Sequence, residues 1–380
     1  MTFPAGEYRD RTRRAQGLMT EAGLSALLLT LEADVRYFTG FLTRFWESPT
    51  RPWFVIVPAK GDAIAVIPQI GAHLMGQGWI RDIRTWEAPD YDDDGVRLLA
   101  DTLREVTSKG AQIGLPHGLE SHLRMPLADF AALKAALAPR AMVSDGGLVR
   151  DLRMIKSDAE IAMIETAAGI ANRAFDRVPE MARVGVPLSE VFRRFQMLCL
   201  DEGADYVPYL AGAAGPDGYA DVISPADDRP LAEGDVLMLD TGLVRQGYFC
   251  DFDRNYALGP PSDRVQTAHA TLIHATQAAF DIARPGARIS DLYHAMVAVT
   301  GTGTGTGTGR LGHGLGMQLT EGVSILANDH TELAPGMVLT LEPWVPTRDD
   351  LLMVHEENIV IEAGGARWLS AAQDATMRVL

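Results

Sequence analysis

Strand-like and helix-like stretches alternate through the first 150 residues. Residues 8–22 carry a helical spacing of apolar positions that stops at Gly23, and 26–30 follow as a short apolar run typical of a buried strand. The runs 53–57 and 63–67 end at Pro58 and Pro68, with Gly61-Asp62 as the turn between them. Residues 112–115 predict another strand and 126–138 a helix that stops at Pro139. This alternation predicts an α/β layered domain over residues 1–150. A boundary falls at about 145–156, around Asp145-Gly146-Gly147. Beyond it, Ser157 and Glu160 have the spacing of a capping box, with Ser157 as N-cap. Ile161, Ile164, Ala168, Ala171 and Phe175 then recur at three- and four-residue steps, which predicts an amphipathic helix of about 20 residues. Ser189 opens a second helix to about 202. Residues 236–239 and 247–256 read as strands joined by a hairpin-like turn. Residues 263–283 form a helix stopped by Pro285-Gly286, and 290–299 form another. Strands near 337–342 and 352–361 complete a second domain over 151–380. The Gly-Thr repeat at 301–309 has no Lys after it and lacks the pattern of a phosphate cradle, so it reads as a loop.

Composition narrows the classes. The 380 residues hold 34 Lys+Arg against 50 Asp+Glu, a formal net charge of −16. No basic block offsets that excess, which predicts no nucleic-acid partner and no attachment to an anionic membrane. No apolar run nears the ~18 residues of a membrane span. The basic stretch at 9–14 is followed by no apolar segment of a signal peptide. Cys199 and Cys250 are too few for a disulfide framework, so they predict reduced thiols and a cytoplasmic location.

The chemistry lies in the second half. Asp240 ends an apolar strand run, and Asp251 follows eleven residues later. His313 sits in Gly312-His313-Gly314, Glu342 in Leu341-Glu342-Pro343, and Glu356 in His355-Glu356-Glu357. Carboxylates inside apolar strand runs cost several kcal/mol unless something pairs them. Four carboxylates and one imidazole suit two borderline-hard dications sharing a bridging water, which is the chemistry of a hydrolase. Asp253 shares a strand face with Asp251 and is expected to pair with Arg254 or another neighbour.

These blocks resemble those of the M24 metallohydrolases, the family of methionine aminopeptidase, aminopeptidase P, prolidase and creatinase. The resemblance rests on Leu239-Asp240-Thr241-Gly242, the step to Asp251, Gly312 to Gly316, Leu341-Glu342-Pro343 and Glu356 to Val360. Ile155 to Ile161 resembles the opening of that family's catalytic domain, and Tyr37 to Phe41 the signature of a creatinase-type N-terminal domain. The resemblance implies an α+β fold, with a pita-bread catalytic domain behind an N-terminal α/β domain, and a homodimer. It implies two divalent metal ions, Mn or Zn, Co or Fe. Asp240 and Asp251 would bind one, and Asp251, His313, Glu342 and Glu356 the other. Glu342 would double as general base on the bridging water, and the reaction would be Xaa-Pro dipeptidase-like cleavage of a C–N bond by the hydroxide so formed.

Three positions depart from the proline-specific pattern. Ile223 and Thr320 stand where such members carry histidines, and Val354 where an arginine is common. Candidates to replace the lost donors are His355 and Thr320, placed with Glu342 among the catalytic residues, and also Tyr219, Arg254 and Arg310; His355 has the alternative of facing away from the metals. The departures leave open a small non-peptide substrate, as for creatinase, ectoine-derivative hydrolase or dimethylsulfoniopropionate lyase, in place of a dipeptide. A catalytically inactive binding protein is a further alternative. Arg44, Phe45 and Trp46 are expected on a loop that lines the partner's pocket in a dimer.

Overall fold

The computed structural model describes residues 2–48, 52–118, 120–302, 309–348 and 350–380. The chain divides into two compact units, 1–153 and 154–380. The first holds α1 (Ala5–Glu21), β1 (Ala26–Leu29), α2 (Glu32–Thr39), β2 (Phe54–Pro58), β3 (Ile64–Pro68), α3 (Ala72–Gly76) and β4 (Asp82–Trp86). It continues with α4 (Val96–Val106), β5 (Gln112–Leu115), α5 (Leu127–Leu137), β6 (Ala141–Ser144) and α6 (Leu148–Met154). Its strands form one mixed sheet in the order β4-β3-β2-β1-β5-β6. β1 and β2 are buried along their whole length, which explains their unbroken apolar runs. The Arg44–Trp46 stretch is not uniformly exposed. Trp46 packs 5.9 Å from Trp53 and lies under the Arg124 guanidinium, while the Arg44 side chain is largely in solvent.

The second unit opens with α7 (Asp158–Asp176), whose capping box is formed as the sequence predicts: Glu160 N–H donates to Ser157 Oγ, and Ser157 N–H to Glu160 Oε2. There follow α8 (Leu188–Asp201), β7 (Tyr206–Pro216), β8 (Asp235–Arg245), β9 (Tyr248–Phe249), β10 (Phe252–Ala257), α9 (Asp263–Ile282) and α10 (Ile289–Thr300). After them come β11 (Val338–Leu341), β12 (Trp344–Arg348), β13 (Leu351–Val354), β14 (Glu357–Glu362), β15 (Gly365–Trp368) and β16 (Arg378–Val379). The ladders run β16-β10-β8-β7, with β9 on β8, then β11-β14-β15 and β12-β13. The expected strand over 352–361 is thus two strands, parted at His355-Glu356. Most of the Gly-Thr repeat, 303–308, lies outside the described residues.

Ser189 and Ser290 are not the helix caps their residue types suggest. Pro187 and Arg288 occupy those positions, and loop carbonyls take the first N–H groups. Gly185, Leu188 and Ser189 donate to Leu231, Arg229 and Asp227; Gly286, Ile289 and Ser290 donate to Leu333, Thr331 and Asp329. The same backbone latch therefore occurs twice, about a hundred residues apart. With the donors already satisfied, a side-chain cap is not needed.

Strand alternation decides where the acids go. Leu237 and Leu239 of β8, and Phe252 and Tyr256 of β10, join the core formed with α7 and α8. Val236, Met238 and Asp240, and likewise Asp251 and Asp253, take the other face. Leu339, Leu341, Ile359 and Ile361 pack with Ile289, Leu292 and Met296 of α10, which leaves Thr340, Glu342, Glu356 and Asn358 on the opposite face. Fully burying each large apolar side chain contributes roughly 1.5–3 kcal/mol, enough over these clusters to fix the register and hold several carboxylates together.

Candidate functional site

Asp240, Asp251, His313, Glu342 and Glu356 converge on one cavity of about 490 Å³ in the second unit. Ligand-type atoms of Asp251, His313 and Glu356 all lie within 4.8 Å of one another. His313 Nε2 is 2.9 Å from Glu342 Oε1 and 3.4 Å from Asp251 Oδ2. Its other nitrogen, Nδ1, is 3.0 Å from the Gly314 carbonyl. Donation there fixes the ring and aims Nε2 at the acids. Gly312 makes the approach possible: at φ 140° it lies so close to Thr340 that a Cβ would sit 2.3 Å from the carbonyl oxygen.

Neighbouring side chains hold the set in place. The Tyr209 hydroxyl donates to Asp240 Oδ2 at 3.1 Å. The Thr340 hydroxyl accepts the His313 N–H at 3.0 Å and donates to Glu342 Oε1. The Asn358 side-chain oxygen accepts the Asp251 N–H at 3.0 Å. Tyr209 was missed by sequence reasoning, because β7 mixes Pro, Gly and apolar residues without clear alternation. Tyr209→Phe is expected to loosen Asp240 and weaken divalent-cation affinity about tenfold with little change in Tm, as read by metal titration calorimetry and thermal unfolding.

Crowding of like charge shows in the titration of these groups. Burial, and then Asp251 nearby, raise the Asp240 carboxyl well above its usual range; burial and the adjacent acids do the same to Glu356. Burial lifts Asp251 to about 6, with His313 opposing. Burial disfavours the His313 cation, but hydrogen bonds to Asp251 and Glu342 outweigh it and push the imidazole up to about 10. Burial raises Glu342 too, but His313 overrides it and holds the carboxyl down at about 2. Asp240 Oδ1, Asp251 Oδ1 and Glu356 Oε1 are buried oxygens with no hydrogen-bond partner among the described residues. Orphaned carboxylate oxygens beside one imidazole form a donor set that fits divalent cations of the Mn, Fe, Co or Zn kind.

The remaining candidates divide. Thr320, Arg310, Ile223 and Val354 line the cavity. His355 also borders it, but both ring nitrogens lie 3.3 Å from carboxylates, Nδ1 from Asp253 and Nε2 from Glu357. Asp253 accordingly pairs with His355 and not with the Arg254 side chain. Tyr219 and Arg254 do not replace the missing donors. The Tyr219 hydroxyl accepts the Val354 N–H at 2.8 Å and donates to Asn255 Oδ1 at 3.1 Å. The Arg254 guanidinium is turned to Glu357 and to backbone carbonyls.

An oxygen-rich, imidazole-containing donor set in a buried cavity defines a metal-dependent hydrolase. Residues 162–368 match the model of metallopeptidase family M24, and residues 11–155 that of the creatinase/prolidase N-terminal domain. The chain belongs to metallopeptidase family M24 and is a metal-dependent peptidase. It is 28% identical over 370 residues to the probable dipeptidase PepE of Mycobacterium tuberculosis, covering 94% of this chain and 95% of that one. It is 24% identical over 371 residues to the Xaa-Pro dipeptidase of Pyrococcus horikoshii, covering 96% and 97%. The crystal structure of dipeptidase PepE from Mycobacterium ulcerans superposes with a TM-score of 0.84 at 26% identity, over 99% of each chain.

Proposed function

We infer that this chain is a dinuclear dipeptidase of the Xaa-Pro dipeptidase type, in which Asp240, Asp251, His313, Glu342 and Glu356 hold two divalent cations. The observation that carries this reading is the convergence of these five residues, from five separate stretches of sequence, on one cavity. Two such cations, when bound, polarise the scissile carbonyl and acidify the attacking water. Glu342, kept ionised by His313 and Thr340, accepts the proton from that water and passes it to the leaving amine. Tyr209 fixes the orientation of Asp240. Thr320 Oγ1 accepts from Arg310 Nη2 at 3.1 Å, so its own hydrogen can donate to the substrate carbonyl as negative charge develops there. Val222, Leu319, Trp344 and Val354 give the cavity apolar walls suited to an apolar residue of the dipeptide.

The family resemblance extends the reading to manganese as the metal and to a homodimer. Among the described residues no helix is long and apolar enough to cross a membrane. Two free buried cysteines are compatible with the reducing cytoplasm. A panel of Xaa-Pro and other dipeptides, assayed with Mn²⁺, tests the activity. Turnover of Xaa-Pro members is expected. Cleavage of a small amide or guanidino compound and of no dipeptide would replace this reading with the small-molecule one.

A further inference from the structure

Two blocks singled out in the sequence, Ile155 to Ile161 and Gly312 to Gly316, meet at a contact that the metal site does not use. The Lys156 ammonium lies 3.0 Å from Glu321 Oε1, and both side chains are buried, 2% and 6% exposed. Gly316 leaves the room for them: a Cβ there would sit 2.3 Å from Glu321 Oε1 and 2.9 Å from Lys156 Cε. Glu321 directly follows Thr320, the residue placed above at the substrate carbonyl.

The pair stands at the centre of a short loop. Glu321 Oε2 accepts the Gln318 N–H at 3.1 Å, and the Glu321 N–H donates to the Gly314 carbonyl at 2.8 Å. The Gly316 N–H donates to the Gln318 carbonyl at 3.1 Å, while the Gly316 carbonyl accepts from the Phe249 N–H at 2.8 Å. On the other side the Lys156 N–H donates to the Gly336 carbonyl at 2.9 Å, so the ammonium is carried by backbone that is itself held. The turn wrapped around the carboxylate presents Leu319 and Thr320 to the cavity. A buried ion pair adds little to stability, because desolvating both charges offsets most of their attraction. It does impose direction: one carboxylate oxygen meets the ammonium and the other a main-chain N–H only with the loop in this conformation.

We propose that Lys156 and Glu321 are positioning residues that hold the Thr320 hydroxyl at the substrate carbonyl. The inference rests on the reading of the cavity as a dipeptidase centre with Thr320 as donor. Without the pair the loop keeps its backbone bonds, but Thr320 is no longer confined to the geometry that the developing charge needs. The chemical step slows, and ground-state binding is little changed.

The test uses the full chain loaded with Mn²⁺ and an Xaa-Pro dipeptide, read by steady-state kinetics and metal content. Lys156→Met combined with Glu321→Gln removes both charges, and the glutamine still accepts the Gln318 N–H. This double variant is expected to keep its metal, while kcat falls about tenfold with KM little moved. Thr320→Val alone lowers kcat about a hundredfold. Adding T320V to the double variant gives the kcat of T320V alone, because the pair acts through that hydroxyl. Glu321→Gln alone, closest in shape to wild type, carries the same comparison where the double variant does not fold. The proposal is overturned by wild-type kcat in the double variant, by a loss carried by KM or by metal content, or by losses that multiply to about a thousandfold with T320V. A loaded wild type that cleaves no dipeptide overturns the dipeptidase reading, and T320V with wild-type kcat overturns the role of Thr320; either takes this inference with it. An active wild type and a slow T320V, with any of the three overturning results, defeat this inference alone.

Discussion

Asp251→Asn is expected to abolish metal binding and peptidase activity while leaving the fold intact. Asp251 lies 3.4 Å from His313 Nε2 and within 4.8 Å of the ligand atoms of His313 and Glu356, so it sits at the middle of the proposed centre. Asparagine keeps its shape but not its charge. Losing the cations removes several kcal/mol of transition-state stabilisation, on the order of 10³-fold in rate. The main chain at this position is held by Asn358, and that contact survives the substitution. The carboxyl it replaces is disfavoured by burial in the metal-free chain. Metal-free D251N should therefore melt no lower than metal-free wild type. Elemental analysis, kcat/KM and paired melting curves check the three parts. Full activity in D251N would refute the ligand assignment.

Stripping the metal should destabilise the protein, and increasingly so as pH rises. In the metal-free chain Asp251 titrates at about 6 against an ordinary 3.8, so the stability its proton lends is complete below 3.8 and lost as pH rises to about 6. Asp240 and Glu356, also raised, act in the same direction. His313 is held at about 10 against 6.5, so its contribution is full below 6.5 and lost as pH rises through about 10. Glu342, held at about 2 against 4.5, contributes fully above 4.5 and is constant across this range. Bound cations take the place of these protons, and loading releases them. At free metal a thousand times Kd, binding adds about 4 kcal/mol, on the order of 10 °C in Tm. Melting with EDTA and with Mn²⁺ at about pH 5, 7 and 9 should show a gap that widens with pH. A gap that narrows would contradict the assignment.

How much could be read in advance depended on whether the signal was local. The capping box at Ser157 and Glu160 is a local pattern and formed as predicted. Asp240 after an apolar run was visible because a carboxylate there breaks the run. The division at His355-Glu356 was not, since β13 and β14 read as one continuous strand when pairing partners are unknown. The latches that start α8 and α10 depend on loop carbonyls some forty residues downstream, so for α8 the helix-cap preference pointed to Ser189 instead. Tyr209, and the pairing of Asp253 with His355, arise from which strands become neighbours, and single residue types carry no such information.

The repeated latch has a further consequence. The second unit uses one plan twice: a helix pinned by the same backbone bonds, then a strand that delivers an acid, Asp240 from the middle of β8 in the first half and Glu342 just past the end of β11 in the second. Asp251 belongs to the first half, and His313 and Glu356 to the second. Neither half alone brings enough donors to close a cation's shell, so bound ions would stitch the two together at their seam. In a chain whose two cysteines are both free, they would do what a disulfide does elsewhere, except that a chelator undoes the stitch and fresh metal remakes it.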